Sequence, residues 1–588
     1  MKIFKSFFIS LTLMCFCNAG YNQSKRNSNK TALSNKAITS NKALDSKLDS
    51  IFSSFNKTTP GIAVTVLQNG KVLAKKAYGL ASLEFKVPFT HSTNVRMAYS
   101  EGREFIAITA VLMEKDGILN LNDKVRKHFP KLPEWSEPVT IKDLLDHRSG
   151  FIDEWDALLL TQASMDNRVD KSQFLQLLYN QPRPEVEPTK GYMYSNSDYG
   201  LLRLIMEKAS GEDLADYAKR KLFIPLGMRL TGFNNDKEEV IAGRAFNYVT
   251  LGGGRYRVVM SDKRSPGGNY HIITTANDLE KWAVAHNNPK SDIAKAKNRL
   301  LEKAIVMPGG NKEYTFGFKI IEDGGNITVA HQGVGSSTYL SRVKNLSIIT
   351  LGNTYQESIQ YHNQIRDYLL KTAAKPFINK QFIRTPVTYT QEELKAFTGT
   401  YIDEDSVTFE SFTKVRKNLV DFVIVNDSLK WQYTKGEIRP LDYITDRVFK
   451  DPDQDLYFEF LPTVQGYKLR THFYTINKVF NHIKDDVVLW QPTKKNLATF
   501  TGKYYSKHLD FYWTIVQDEQ GKLVIKRPTI ADKYLDPVSE NGFLLIIENY
   551  AWAPQESWVR FHKDAQGKVT HLTVSHPRLM HHHFDKIQ

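Results

Sequence analysis

The chain has 588 residues, a formal net charge of +15 and two cysteines. The length exceeds what one hydrophobic core usually holds, so about two to four domains are expected. Cys15 and Cys17 both lie in the N-terminal leader, which excludes disulfides, thiolate catalysis and cysteine-ligated zinc from the rest; no nucleic-acid-binding motif accompanies the charge.

Residues 1–19 join a short basic start (Lys2, Lys5) to an apolar run too short to span a bilayer, and they end in small residues. This pattern predicts a signal peptide cleaved after Ala19, a secreted or periplasmic product, and no integral membrane segment once the signal is removed. Residues 20–43 read as a flexible Ser/Asn/Lys-rich tether. Within it Lys25, Arg26, Lys30, Lys36 and Lys42 stand without an acid. The basic excess suggests affinity for anionic envelope polymers, weakening with salt, and no nucleic-acid partner.

The next domain is read as 44–372. An amphipathic helix is expected near 44–55, followed by GIAVTVLQNGKVLAKKAYGL, two β-prone runs joined by Asn69-Gly70, a strong hairpin signal. Helical patterns dominate until about residue 320, and strands return at FGFKIIED, NITVAHQG and LSIITLGN. Strands first, helices in the middle and strands last predict an α+β domain: an antiparallel sheet with helices on its faces.

Within the helical part, Ser100-Glu101-Gly102-Arg103 places a hydroxyl and a basic group on one side of a helical turn. A lysine at the fourth position could take the serine proton as a neutral amine. Arginine cannot, because its guanidinium stays protonated. Tyr194-Ser195-Asn196 follows in a loop leading into an amphipathic helix, and His331-Gln332-Gly333 between two β-prone runs. His147, in LLDHRSGF, reads as a structural hydrogen-bonding histidine.

With these motifs the sequence resembles the penicillin-recognising serine hydrolase family, which includes class C β-lactamases, DD-peptidases, D-aminopeptidases and related esterases. That family carries Ser-x-x-Lys, Tyr-x-Asn and a strand motif of Lys-Thr-Gly or His-x-Gly type. The phrases VTIKDLLDHRSGF, FIPLGMRLTGF and SPGGNYHIITTANDLEKW match its scaffold as well. The resemblance covers residues 45–370 or so and departs at Arg103. It implies a β-lactamase/transpeptidase-like domain with Ser100 as nucleophile. The N–H groups of Ser100 and Val334 would form the oxyanion hole, Asn196 would position the substrate carbonyl, and His331 and Gly333 would line the cleft.

The missing lysine leaves Tyr194 as the candidate base. A guanidinium about 4 Å away, at an effective dielectric near about 20, contributes roughly 4 kcal/mol. Holding a tyrosine ionised about three pH units below its ordinary range takes about the same. Arg103 is thus expected to support Tyr194 without accepting a proton itself.

Residues 373–390 read as a linker, across which contacts are expected to be sparse, so that residues 20–375 would fold alone. Beyond it LKAFTGTY (394–401) and LATFTGKY (497–504) form an internal repeat, each copy followed by alternating β-prone segments. Residues 391–490 and 491–588 each have room for about eight short strands, enough for a small antiparallel barrel with a side-chain-filled or ligand-sized interior. A catalytic domain followed by two all-β barrels resembles the D-aminopeptidase branch, whose lipocalin-like barrels help shape the cleft. The histidines at 571, 576 and 581–583 are placed with no carboxylate ligand, so neither metal nor other cofactor is expected. The resulting expectation is a secreted or periplasmic serine hydrolase. Its substrate would be a small molecule or peptide: a D-amino-acid peptide, a peptidoglycan fragment or an ester. The alternative is a catalytically impaired relative that binds such ligands or envelope polymers.

Overall fold

The computed structural model describes residues 42–587, apart from 98–101, 162–169, 235–238, 253, 259–270, 303–313, 324–325, 333–338, 344, 355–358, 371–384, 386, 403–418, 434–437, 453–455, 464–465, 474–477, 486–491, 527–531, 538–539, 548–554 and 577. The leader, most of the tether and most of the linker lie outside these residues. Among the described residues no helix is long and apolar enough to cross a membrane.

The Asn69-Gly70 turn takes left-handed φ values of 52° and 73°, as a two-residue hairpin turn requires. It joins β1 (Ile62–Gln68) to β2 (Lys71–Tyr78). Five later strands complete the sheet: β3 (Tyr314–Thr315), β4 (Phe318–Asp323), β5 (Asn326–Gln332), β6 (Tyr339–Val343) and β7 (Leu346–Gly352). Their order is β3-β4-β5-β6-β7-β1-β2, so the first strands of the domain pair antiparallel with its last. β1 and β7 are central and largely buried on both faces, which is why their apolar runs barely alternate.

Successive residues of β1 feed two layers. Ile62, Val64 and Val66 pack with Leu44 and Leu48 of α1 (Lys42–Ile51). Ala63 and Leu67 belong to the larger core that holds α2 (Arg103–Lys115), α3 (Glu154–Leu160), α4 (Asn196–Ser210) and α5 (Ala276–Asn287). The helix α6 (Ile359–Leu370) closes the α1 side through Tyr361 and Ile365. The helical middle also contains strands that helical periodicity hides, including His271–Thr274, which pairs with Val95–Met97 just before α2.

The repeat is visible in the structure. Thr390 and Glu393 form a capping box on α7 (Gln391–Phe397), and Thr493 and Asn496 form one on α8 (Lys494–Ala498). The Tyr401 hydroxyl donates to the Phe397 carbonyl at 3.2 Å, and Tyr504 to the Phe500 carbonyl at 2.7 Å. Each helix leads into eight antiparallel strands. The second set closes completely; the first is an eight-stranded sheet whose edge strand Ser428–Tyr433 meets Arg439, just before the other edge strand Asp442–Thr445, in an isolated bridge with Trp431. Side chains such as Trp431, Phe458 and Phe460 fill the first barrel, and Trp513, Phe543 and Phe561 the second.

The second barrel is docked onto the first domain, contrary to the sparse contacts expected of the linker. The Trp513 indole N–H donates to the Leu160 carbonyl at 2.9 Å, His508 Nε2 lies 2.9 Å from the Leu177 carbonyl, and Arg183 donates to the Met580 carbonyl at 2.9 Å. Its core is continuous with that of α2 to α5.

Candidate active site

The first turn of α2 carries the site. Arg103 opens the helix and is almost completely buried. Gly317, with φ +82°, lets the β3–β4 turn lie against this end; a Cβ there would sit 2.8 Å from the Arg103 carbonyl oxygen. No other residue type fits both the angle and the space.

The Arg103 guanidinium is stacked between two tyrosines, with Cζ 4.3 Å from the ring centroid of Tyr194 and 4.8 Å from that of Tyr199. Such cation–π contacts offset part of the cost of burying the charge. One Nη donates to Asn196 Oδ1 at 2.5 Å and the other faces His147 Nε2 at 3.4 Å. Since arginine only donates, Nε2 carries a lone pair and the His147 proton sits on Nδ1. Nδ1 lies 2.9 Å from Asp198 Oδ2, where its hydrogen is accepted. Burial, reinforced by the Arg103 and Arg578 charges, holds His147 well below its ordinary pKa and therefore neutral. Burial pushes Asp198 well up, opposed by the Ser149 hydroxyl and the Arg103 charge. The expectation of a hydrogen-bonding His147 agrees with this geometry.

Asn196 starts α4 and has both ends of its amide engaged: Oδ1 by Arg103, and Nδ2 by Asp153 Oδ2 at 2.8 Å. The same Asp153 oxygen accepts the Asn196 backbone N–H at 2.7 Å. Beside Arg103, Glu104 accepts from the Trp282 indole at 2.6 Å and from Arg342 at 2.5 Å, and lies 3.0 Å from His286 Nε2. His286 is pushed down to about 3 by burial and by the Arg342 charge, so this second buried cluster is also arginine–carboxylate in character.

Arg103, Tyr194 and Asn196 are thus brought together. Arg103 meets Tyr194 across the ring face, with its hydrogens turned to Asn196 and His147. Ser100, Gly333 and Val334 lie outside the described residues; His331 is on β5, its backbone paired with Leu340 of β6. Sequence reasoning missed Asp153, Asp156 and Asp198. The signal was there in FIDEWD and SNSD, acids set among buried apolar residues, which need partners to be buried. Arg578, which reaches Asp153 from the second barrel, carries no local signal at all.

Residues 48–370 match the beta-lactamase family. Penicillin-binding protein 4* of Bacillus subtilis (strain 168) is 34% identical over 188 residues, 32% of this chain and 41% of that protein. Protein flp of Staphylococcus aureus (strain MRSA252) is 26% identical over 314 residues, 51% of this chain and 60% of that protein. The chain therefore spans about half the length of these curated relatives. Among solved structures, the octameric penicillin-binding protein homologue from Pyrococcus abyssi aligns with 93% of this chain and 99% of its own, at a TM-score of 0.48 and 19% identity. The D-amino acid amidase from Ochrobactrum anthropi SV3, complexed with L-phenylalanine amide, covers 56% of this chain and 99% of its own, at 0.46 and 20%. With residues 48–370, more than half of its length, matched by the family, the chain belongs to the beta-lactamase family.

Proposed function

We propose that this protein is a serine hydrolase that cleaves a small amide or ester through an acyl-enzyme on Ser100. D-amino-acid peptides, peptidoglycan fragments and simple esters are the bond types that suit the family. The catalytic domain with two barrels suits its D-aminopeptidase branch. The observation that carries the reading is the preformed contact of Arg103 with both Tyr194 and Asn196 at the start of α2. Ser100, three residues before Arg103, attacks the carbonyl carbon while its proton passes to the Tyr194 oxygen. The carbonyl electron pair moves onto oxygen beside the N–H groups of Ser100 and Val334, and the leaving group departs with the proton from Tyr194. Water then repeats the sequence on the acyl-enzyme. Arg103 supplies positive charge beside Tyr194, and His331 and Gly333 line the cleft. A leader cleaved after Ala19 would put this chemistry in the periplasm or outside the cell, where the basic tether meets anionic envelope polymers.

One observation favours a second reading. Arg103 is permanently charged, and its hydrogens are already directed to Asn196 and His147, as in a site that holds a ligand and performs no acyl transfer. Intact-mass labelling with a fluorophosphonate and with penicillin separates the two. A stoichiometric adduct that Ser100→Ala abolishes at an unchanged melting temperature is expected. Should the wild type take neither probe while Arg103→Lys alone gains an adduct, the binding reading replaces the hydrolase.

A further inference from the structure

Arg578 stands between the last two strands of the second barrel, Val569–His576 and Leu579–Lys586. It is buried against carboxylates 422 and 425 residues earlier in the chain. Asp156 accepts its backbone N–H at 2.9 Å, Nε at 3.2 Å and one Nη at 2.7 Å; the other Nη donates to Asp153 Oδ2 at 3.0 Å. That oxygen is the one that holds both the backbone and the side-chain N–H of Asn196. The Arg578 Cζ lies 5.9 Å from the Tyr194 ring centroid. An unbroken chain of charge-assisted hydrogen bonds therefore runs from the barrel through Asp153 and Asn196 to Arg103.

We propose that Arg578 is a positioning residue of the acyl-transfer site, so that the site is complete only when the second barrel is docked. Two neighbouring carboxylates, buried without a cation, would repel and turn apart. The fork of Arg578 fixes both. Asp153 in turn fixes the direction of the Asn196 amide, and Arg578 adds a second cation beside Tyr194. The proposal rests on the hydrolase reading above for its effect on rate, while its effect on Asn196 stands independently.

The test uses the full chain with Arg578→Gln, Arg578→Lys and, as a control, Arg439→Gln. Arg439 makes a like fork onto buried Asp451, at 2.6 and 3.1 Å, inside the first barrel. Arg578→Gln is expected to slow acylation by a fluorophosphonate about tenfold or more, to alter its pH profile, and to speed hydrogen exchange at the Asn196 amide. Arg578→Lys keeps the charge without the fork and should recover the melting temperature but only part of the rate. Arg439→Gln should lower the melting temperature and leave rate and exchange alone. An Arg578→Gln rate and pH profile matching wild type, or a rate loss no greater than that of Arg439→Gln, overturns the proposal. If the wild type takes no probe, the hydrolase reading fails and exchange decides the rest: loss of Asn196 protection upholds the positioning role, and unchanged protection removes it. Arg578→Lys carries the same comparisons should Arg578→Gln not fold.

Discussion

Each C-terminal barrel begins with a capped helix and a tyrosine bonded to the carbonyl four residues before it, yet their cores join different things. Among the described residues the first barrel's aromatic core is a cluster of its own, and its partly exposed Arg439 turns onto the buried Asp451. The second barrel's core runs into that of the beta-lactamase-family domain, and its buried Arg578 turns outward onto Asp153 and Asp156. A shared local pattern therefore sets the barrel, while a few side chains at one end decide whether it becomes part of its neighbour.

The largest effects should come from the two buried indoles. Trp431→Ala removes a core filler whose N–H donates to Asp451 at 3.0 Å, and Trp513→Ala one whose N–H donates to the Leu160 carbonyl. Each is expected to cost about 3–5 kcal/mol. By calorimetry, Trp431→Ala should lower a transition belonging to the first barrel. Trp513→Ala should lower one in which the beta-lactamase-family domain and second barrel unfold together. A single transition moved equally by both would erase the contrast.

A smaller effect concerns the pH dependence of docking. Glu185 accepts the Met580 N–H at 2.7 Å, and burial pushes its pKa up from 4.5 to about 7, against the pull of that hydrogen bond and the Arg183 charge. A cavity of about 230 Å³ beside it is also lined by Arg183, Lys507, His508, His582 and Asp585. Because the folded pKa is the higher one, the contribution of Glu185 is fully present below pH 4.5 and is lost as pH rises to about 7. His508, pushed down from 6.5 to about 4 by burial, acts in the opposite sense: its contribution is present above pH 6.5 and lost toward pH 4. Comparing Glu185→Gln with wild type at each pH cancels the histidine. The variant's relative stability, from urea midpoints, should rise by roughly 2 kcal/mol between pH 4.5 and 7.5. A flat difference would take the docking titration away from Glu185.

What could be read in the sequence was local. Asn69-Gly70 fixes a hairpin because only a few residue types accept two left-handed angles in succession. The repeated Phe-Thr-Gly-x-Tyr places a carbonyl and a hydroxyl one turn apart, and Arg103, Tyr194 and Asn196 come from phrases that each start a helix or the loop before one. The strand His271–Thr274 was invisible because a short strand inside a helical region has no period of its own. The linker suggested sparse contacts, yet the second barrel makes several with the first domain: a linker's composition says nothing about the complementarity of the surfaces it joins. Asp153 sits in a legible acidic, apolar stretch, but its partner Arg578 is one arginine among many until the barrel docks.

The smallest difference is the sharpest test of the shared pattern. Tyr401 and Tyr504 are both fully buried, and each hydroxyl donates to a carbonyl, at 3.2 Å and 2.7 Å. Replacing either with phenylalanine keeps the ring in its core and strands one buried carbonyl, at a cost of about 1 kcal/mol. The shorter bond predicts the larger loss for Tyr504→Phe. More telling is where each loss registers. Tyr401→Phe should shift only the first-barrel transition, because among the described residues its core is a cluster of that barrel alone. Tyr504→Phe should shift the transition shared with the beta-lactamase-family domain, and with it the temperature at which probe labelling disappears. If Tyr504→Phe moves the first-barrel transition, or leaves the labelling temperature where it was, the continuity of the second core with the site is wrong, even though both hydrogen bonds are real.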